Sequence, residues 1–432
     1  MERRAVRSYE FNCPEETIAM TLRNEKGFSL VELMVTMVVF VLVIAASSQV
    51  FTALLTQFKQ QSKIGESNIE GIVGLDILRR DLAGAGFGLP QDMNSTTYSE
   101  AVDESFLKGS LLNDATGNPP AAFRILNNNG ISDSTGTNPV PGSVADVLAI
   151  KSSNVAFDDG AQKWSYISNR GSWTTIKSWG AGSTENLIST DRVIVLYPDS
   201  QQKLNVLQKD STGKFYSQWG TNGASLPTSM QPQTNSYLNY VAYGVGSSND
   251  PVMPFNRADY YVKRPASLPS RCAPNTGVLY KGVVNNLATG SAAGQHTELP
   301  VLDCVADFQV DFLFDKTTPP DGYADWPPDD GTLLQGYTAA DVRARLKEVR
   351  VYIVAQEGQK DINYDFSQDG TGTARTAVST IENLDTYDSG GSVVHNSRPL
   401  NFVDLKNLVG DPEYKYYRWK LYTIVVQPNN LR

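Results

Sequence analysis

Histidine is nearly absent from this chain: its 432 residues include two, His296 and His395. Neither stands near a C-x-x-C pair, which argues against a histidine-based metal site and against a histidine-base enzyme. Basic residues are in deficit, 37 against 46 acidic, for a formal charge of −9 and a pI near 5.0. Phosphate binding needs an excess of Lys and Arg to release counterions, so no nucleic acid is expected to bind directly. No G-x-S-x-G elbow, P-loop or Cys/His pair occurs at a usable spacing, so neither an enzyme nor a cofactor is expected. Proline is missing between Phe28 and Leu89, although the chain has 22 in all. What remains is 41% hydrophobic and 19% charged, enough to bury a large core and to exclude general disorder. The length allows two or three domains, or one large β domain.

The composition averages over one segment unlike the rest, Phe28 to Ala46, FSLVELMVTMVVFVLVIAA. As a helix it spans roughly 28 Å, about the hydrocarbon thickness of a bilayer. Its polar groups are Ser29, Thr36 and one charge, Glu32. A buried core helix, a secretory signal and a membrane span compete for it, and Ala45, Ala46, Ser47 and Ser48 offer a signal-peptidase site. An ionised carboxylate within a membrane helix costs roughly 2 to 3 kcal/mol, so Glu32 either snorkels to the headgroups or pairs with a cation.

The stretch Lys26-Gly27-Phe28-Ser29-Leu30-Val31-Glu32-Leu33 closely resembles the class III leader of type IV pilins and type II secretion pseudopilins. The resemblance implies cleavage by a prepilin peptidase between Gly27 and Phe28 and methylation of the new Phe28 amine. It also implies that Glu32 attracts the N-terminus of a neighbouring subunit during assembly. Arg23 and Lys26 flank the run, with Arg3, Arg4 and Arg7 further out, so the N-terminal side is expected in the cytoplasm and the remainder outside the inner membrane. Initiation at Met20 gives an eight-residue leader typical of the family, which makes residues 1–19 an over-extended start. The domains are then 1–27 leader, 28–86 pilin helix with a membrane part at 28–46, and 87–432 periplasmic head. Cys13 leaves with the leader; Cys272 and Cys304 remain in an oxidising compartment, as a disulfide or as two buried thiols.

After Ser47 the apolar pattern continues at Phe51, Leu54, Leu55, Phe58, Ile69, Ile72, Leu75, Leu78 and Leu82, steps of three and four that predict one helix from about Phe28 to Ala83. Ser62, Gly65, Gly71 and Gly74 loosen it and favour bending, each Gly by about 1 kcal/mol. Arg80-Asp81-Leu82 followed by Ala85-Gly86-Phe87-Gly88 is similar to the corresponding stretch of PilW-type minor pilins and GspJ-type pseudopilins. Beyond Pro90, short strands are expected at 144–151, 192–197, 237–243, 260–263, 277–284, 305–314, 347–355 and 417–426. In the clearest, Phe308, Val310, Phe312 and Phe314 alternate with Asp307, Gln309 and Asp311, which reads as an antiparallel strand with one wet face. The fold class expected is α+β, a long N-terminal helix packed on a large antiparallel β-sheet head. The likeness to the PilW-type head covers about 299–432; residues 90–298 match nothing.

Two acidic loops offer oxygen to calcium: Asp315, Asp321, Asp325, Asp329 and Asp330 in one, Asp361, Asn363, Asp365 and Asp369 in the other. The second has Phe366 where an EF-hand needs glycine and no glutamate at the twelfth position, so plain solvated loops are the competing reading. The Tyr414, Tyr416, Tyr417 and Trp419 cluster reads as the faces of a strand. The family implies a minor pilin that initiates a type IV pilus and stays near its tip. Its partners would be the prepilin peptidase, other minor pilins, the major pilin and the assembly platform. A type II secretion pseudopilin, or a tip adhesin that binds through 90–298, are the alternatives.

Overall fold

A computed structural model describes residues 29–431 except 105, 170–172, 176–177, 181, 200–203, 221–225, 234–237, 326–327, 368–384, 388–392 and 396–402. The chain divides into two units, residues 1–59 and 60–432. Helix α1 runs without interruption from Leu30 to Gly84, as the spacing of apolar residues and the missing proline predict.

The strands, in chain order, are β1 (Phe123–Leu126), β2 (Val147–Ser152), β3 (Trp164–Asn169), β4 (Trp173–Thr175), β5 (Asp191–Asp199), β6 (Leu204–Leu207), β7 (Ser217–Gln218), β8 (Tyr240–Ser247), β9 (Asn256–Lys263), β10 (Gly277–Val284), β11 (His296–Phe314), β12 (Leu346–Glu357), β13 (Asp385–Tyr387), β14 (Val393–His395) and β15 (Arg418–Val426). Seven form one antiparallel sheet in the order β1-β2-β9-β10-β11-β12-β15. A second sheet, β4-β3-β8-β5-β6 with β7 against β5, lies wholly inside 90–298, the stretch without a family likeness, and includes the strands expected at 192–197 and 237–243. One face of this smaller sheet sends Ile194, Leu196 and Leu207 into the main core. Its other face builds a separate core from Ile167, Val193, Val195, Trp219, Tyr240 and Ala242. The chain is therefore α+β, a long N-terminal helix followed by a large antiparallel head.

From residue 60 onward, α1 belongs to the head and packs on the larger sheet. Leu78 and Leu82 are fully buried. Gly71 and Gly74 bring the helix backbone down on β11. A Cβ on Gly74 would stand 1.9 Å from the Val301 carbonyl oxygen, and one on Gly71 3.2 Å from Leu302 Cδ1. The last turn holds no basic residue, and its orphan carbonyls are satisfied by the far end of the chain. Asn429 N–H donates to Ala83 O at 3.1 Å and Asn430 Nδ2 to Gly84 O at 3.2 Å. A lateral anchor adds to this, with Asp81 Oδ2 2.6 Å from Lys281 Nζ and accepting the Tyr260 hydroxyl at 2.6 Å.

The wet face expected on β11 is not wet. Asp307, Gln309 and Asp311 are all buried, because distant segments lie along that face. Asp146 Oδ2 accepts the Val310 N–H, Asp307 Oδ2 accepts the Val403 N–H, and Gln309 Nε2 donates to Val144 O. Burial pushes the Asp307 carboxyl up to about 6 and raises Asp146 well above the usual carboxylate range, with Asp307 and Asp311 as like charges beside Asp146.

Candidate functional site

Gly27 and Phe28 lie outside the described residues, and the structure takes up the N-terminal motif at Ser29. Val31 N–H donates to Ser29 Oγ at 3.3 Å, and Ser29 N–H donates to Glu32 Oε2 at 3.1 Å. Ser29 thus caps the first turn through the second helical N–H, and Glu32 reaches back to the N–H of Ser29. This gives Glu32 a local role that the sequence reading did not assign. Behind it, Leu30–Gly65 is long and apolar enough to cross a membrane, and its most apolar stretch is not buried at all. Leu33, Met34, Met37, Phe40, Val41 and Ile44 are all more than half exposed, an arrangement that water disfavours and a lipid or helical partner would accept.

Cys272 and Cys304 are joined, with their Cα atoms 4.9 Å apart, and the bridge ties the loop before β10 to β11. The acidic loops spend their oxygens on their own turns. Asp315 Oδ2 accepts the Gly322 N–H, Asp325 Oδ2 the Lys316 N–H, Asp329 Oδ1 those of Gly331 and Leu333, and Asp330 Oδ1 that of Thr332. Asp361 pairs with Arg418 at 2.8 Å and accepts the Asn363 N–H, while Asp365 accepts that of Ser367. Asp369 lies outside the described residues. Among the described residues, no three His, Cys, Asp or Glu side chains converge on a common point as a metal would require.

What sequence reasoning missed is a buried charge network between the sheet and residues 100–114. Lys151 on β2 and Arg257 and Asp259 on β9 share one face, since β2 and β9 place Lys151 opposite Arg257. Lys151 Nζ is 2.6 Å from Glu100 Oε2 and 2.7 Å from Asp114 Oδ2. Arg257 Nε and Nη2 donate to the two oxygens of Asp259, Nη1 to Glu100 and Asn113, and Nη2 also to Gly109 O. Arg124 on β1 grips Asp114 Oδ1 through Nε at 2.9 Å and Nη2 at 2.6 Å. His296, which the sequence left isolated, stands with Nδ1 3.0 Å from Glu104 and Nε2 2.9 Å from Asp259.

Both ring nitrogens of His296 face carboxylate oxygens, so both must donate and the ring is an imidazolium. Burial opposes that charge, but the hydrogen bonds to Asp259 and Glu104 outweigh it and push the pKa up to about 9. Burial would likewise raise Asp259, yet Arg257 and His296 hold it well below the usual carboxylate range. Asp114 is lowered in the same way by Lys151 and Arg124, and Glu104 by His296. The network is a clamp, in which acids from one long loop are inserted among bases on four strands, β1, β2, β9 and β11. The alternation of charged and apolar residues along β9 is the only local signal it leaves in the sequence.

Comparison with known proteins bears on the N-terminus. Residues 22–48 match the prokaryotic N-terminal methylation motif, which covers Gly27, Phe28 and Glu32. Among solved structures, a type IV-like pilin from Thermus thermophilus is 14% identical over 41% of this chain, with a TM-score of 0.18; the chain spans 66% of that pilin's length. Comparison with curated proteins gave no match. The motif is that of pilin-like structural proteins and not of an enzyme family. The chain thus carries a prepilin-type methylation motif at the head of an exposed apolar helix, which fits a membrane-anchored pilin.

Proposed function

We propose that the chain is a minor pilin of the PilW type, which helps to start a type IV pilus and remains near its tip. A prepilin peptidase removes residues 1–27, and Phe28 becomes the methylated N-terminus. The helix from 28 holds the protein in the inner membrane with its N-terminus cytoplasmic, and the head, 87–432, faces the periplasm. Once the Phe28 amine is free, Glu32 can leave its cap on Ser29 and pair with the N-terminus of a neighbouring subunit, aligning minor and major pilins on the assembly platform. The observation that carries this reading is the methylation motif at 22–48, which runs into the exposed apolar helix beginning at Leu30.

The test is to change Gly27 to leucine, which removes the small residue that the peptidase needs at the cleaved bond. The variant should keep its leader and the strain should lose pili or assemble fewer of them. Normal maturation of Gly27→Leu would end the class III reading. A second reading, a tip adhesin, is favoured by the additional sheet within 164–247, which has its own core. Deletion of residues 90–298 that abolishes attachment while pili still form would support it.

A further inference from the structure

The charge network contains a triad for which filament assembly has no use. The side chains of Lys151, Glu100 and Asp114 are 0%, 1% and 2% exposed, and the Lys151 ammonium also stands 5.7 Å from the centre of the Phe255 ring. A primary amine is thus sealed away from water in contact with two carboxyl groups. Desolvation of a buried ion pair is costly, and condensation to an amide removes one positive and one negative charge at once.

We propose that Lys151 and Asp114 are joined by an autocatalytic isopeptide bond, with Glu100 as the proton shuttle. The Lys151 ammonium gives a proton to Glu100 Oε2, 2.6 Å away, and the freed lone pair on Nζ attacks Cγ of Asp114. As the C–N bond forms, the π electrons move onto Oδ1, where the Arg124 guanidinium already donates twice. This is the arrangement that stabilises charge developing in an acyl-transfer transition state. The Cγ–Oδ2 bond then breaks, and Oδ2 departs as water carrying the two protons that the nitrogen has lost, both relayed by Glu100. An ammonium and a carboxylate become a secondary amide and water, with no oxidant, reductant or further reactant, and Glu100 ends as the carboxylate it began as. Glu100 is the shuttle and not the acyl group because its Oε1 accepts the Asp114 N–H and its Oε2 is shared with Arg257 at 3.0 Å. After reaction it stays paired with Arg257. The bond would tie the 100–114 loop covalently to β2 across a separation of 37 residues, a second cross-link beside the disulfide in a head exposed to outside conditions.

The experiment is the intact mass of the full chain, purified in detergent, incubated at neutral pH, then reduced and denatured. The expected mass is one water below that of the sequence with its determined N-terminus, with a branched peptide joining the segments around Asp114 and Lys151. Lys151→Arg and Glu100→Gln should return to full mass. Asp114→Asn should still cross-link but lose ammonia instead of water, an outcome that a mere ion pair cannot give. A wild-type chain at full mass, with the Lys151 amine open to acylation after unfolding, overturns the proposal whatever the variants do. A water loss mapped to other residues overturns it equally.

Discussion

Substitution of His296 by glutamine should remove a pH dependence that the wild-type head shows between neutrality and pH 9. The ring is held as an imidazolium between Glu104 and Asp259, with its pKa raised from 6.5 to about 9. A group whose folded pKa is raised binds its proton more tightly in the folded state, so its contribution is complete below the unfolded value and fades as pH climbs through the folded one. At 1.36 kcal/mol for each pKa unit, the full contribution is about 3 kcal/mol, of which roughly 2 should be lost between pH 7 and 9. Glu104 and Asp259 have lowered values, so their contribution is present throughout this window and is lost only in acid. The assay is urea unfolding of the processed chain in detergent, followed by the fluorescence of its six tryptophans, at half-unit steps from pH 6.5 to 9.5. The difference between wild-type and His296→Gln curves isolates the imidazole from Asp146 and Asp307, whose raised values add their own slope in both proteins. Equal slopes in the two proteins, or a wild-type curve that does not fall, would refute the assignment of a charged ring.

Gly74→Ala should destabilise the docking of α1 on β11 by roughly 1 to 3 kcal/mol or more, as overpacking does, because the new methyl meets backbone and not a side chain that can turn away; the urea midpoint reads it, and an unchanged midpoint would mean that the helix does not lie on Val301. The double change Cys272→Ser with Cys304→Ser should cost about 3 to 4 kcal/mol on the chain-entropy model, and dithiothreitol should then shift the wild-type midpoint but not that of the variant. Asn430→Ala should cost about 1 kcal/mol, as the loss of one helix cap does, and should raise hydrogen exchange at the end of α1 more than in β12. No such local rise would show that the C-terminus is not what closes the helix.

Much of this architecture could be read from residues close in sequence. The absence of proline between Phe28 and Leu89 and the apolar steps of three and four give α1 to within two residues at each end. Gly277–Val284 is a strand with the bounds expected, and Cys272 and Cys304 are joined. The readings that failed depend on what lies across from a residue. Period-two alternation in β11 says that Asp307 and Phe308 point to opposite faces; it cannot say that Val144, Asp146 and Val403 cover the polar one. Gly71 and Gly74 look like weak points of a helix until β11 is placed beneath them. Lys151, Arg257 and His296 stand more than a hundred residues apart at the extremes, and only the non-sequential sheet order β2-β9-β10-β11 gathers them around acids from residues 100–114. A histidine that looks solitary in sequence is thereby the centre of a buried ion cluster.

The central claim concerns the first residues of the mature protein. Isolated from its own membrane or filament, the chain should begin at Phe28 with a methylated amine, which N-terminal peptide mass spectrometry reads directly. A mature N-terminus still carrying Gly27, or one created beyond Ala46 by a signal peptidase, would contradict it and leave the apolar helix without the role proposed.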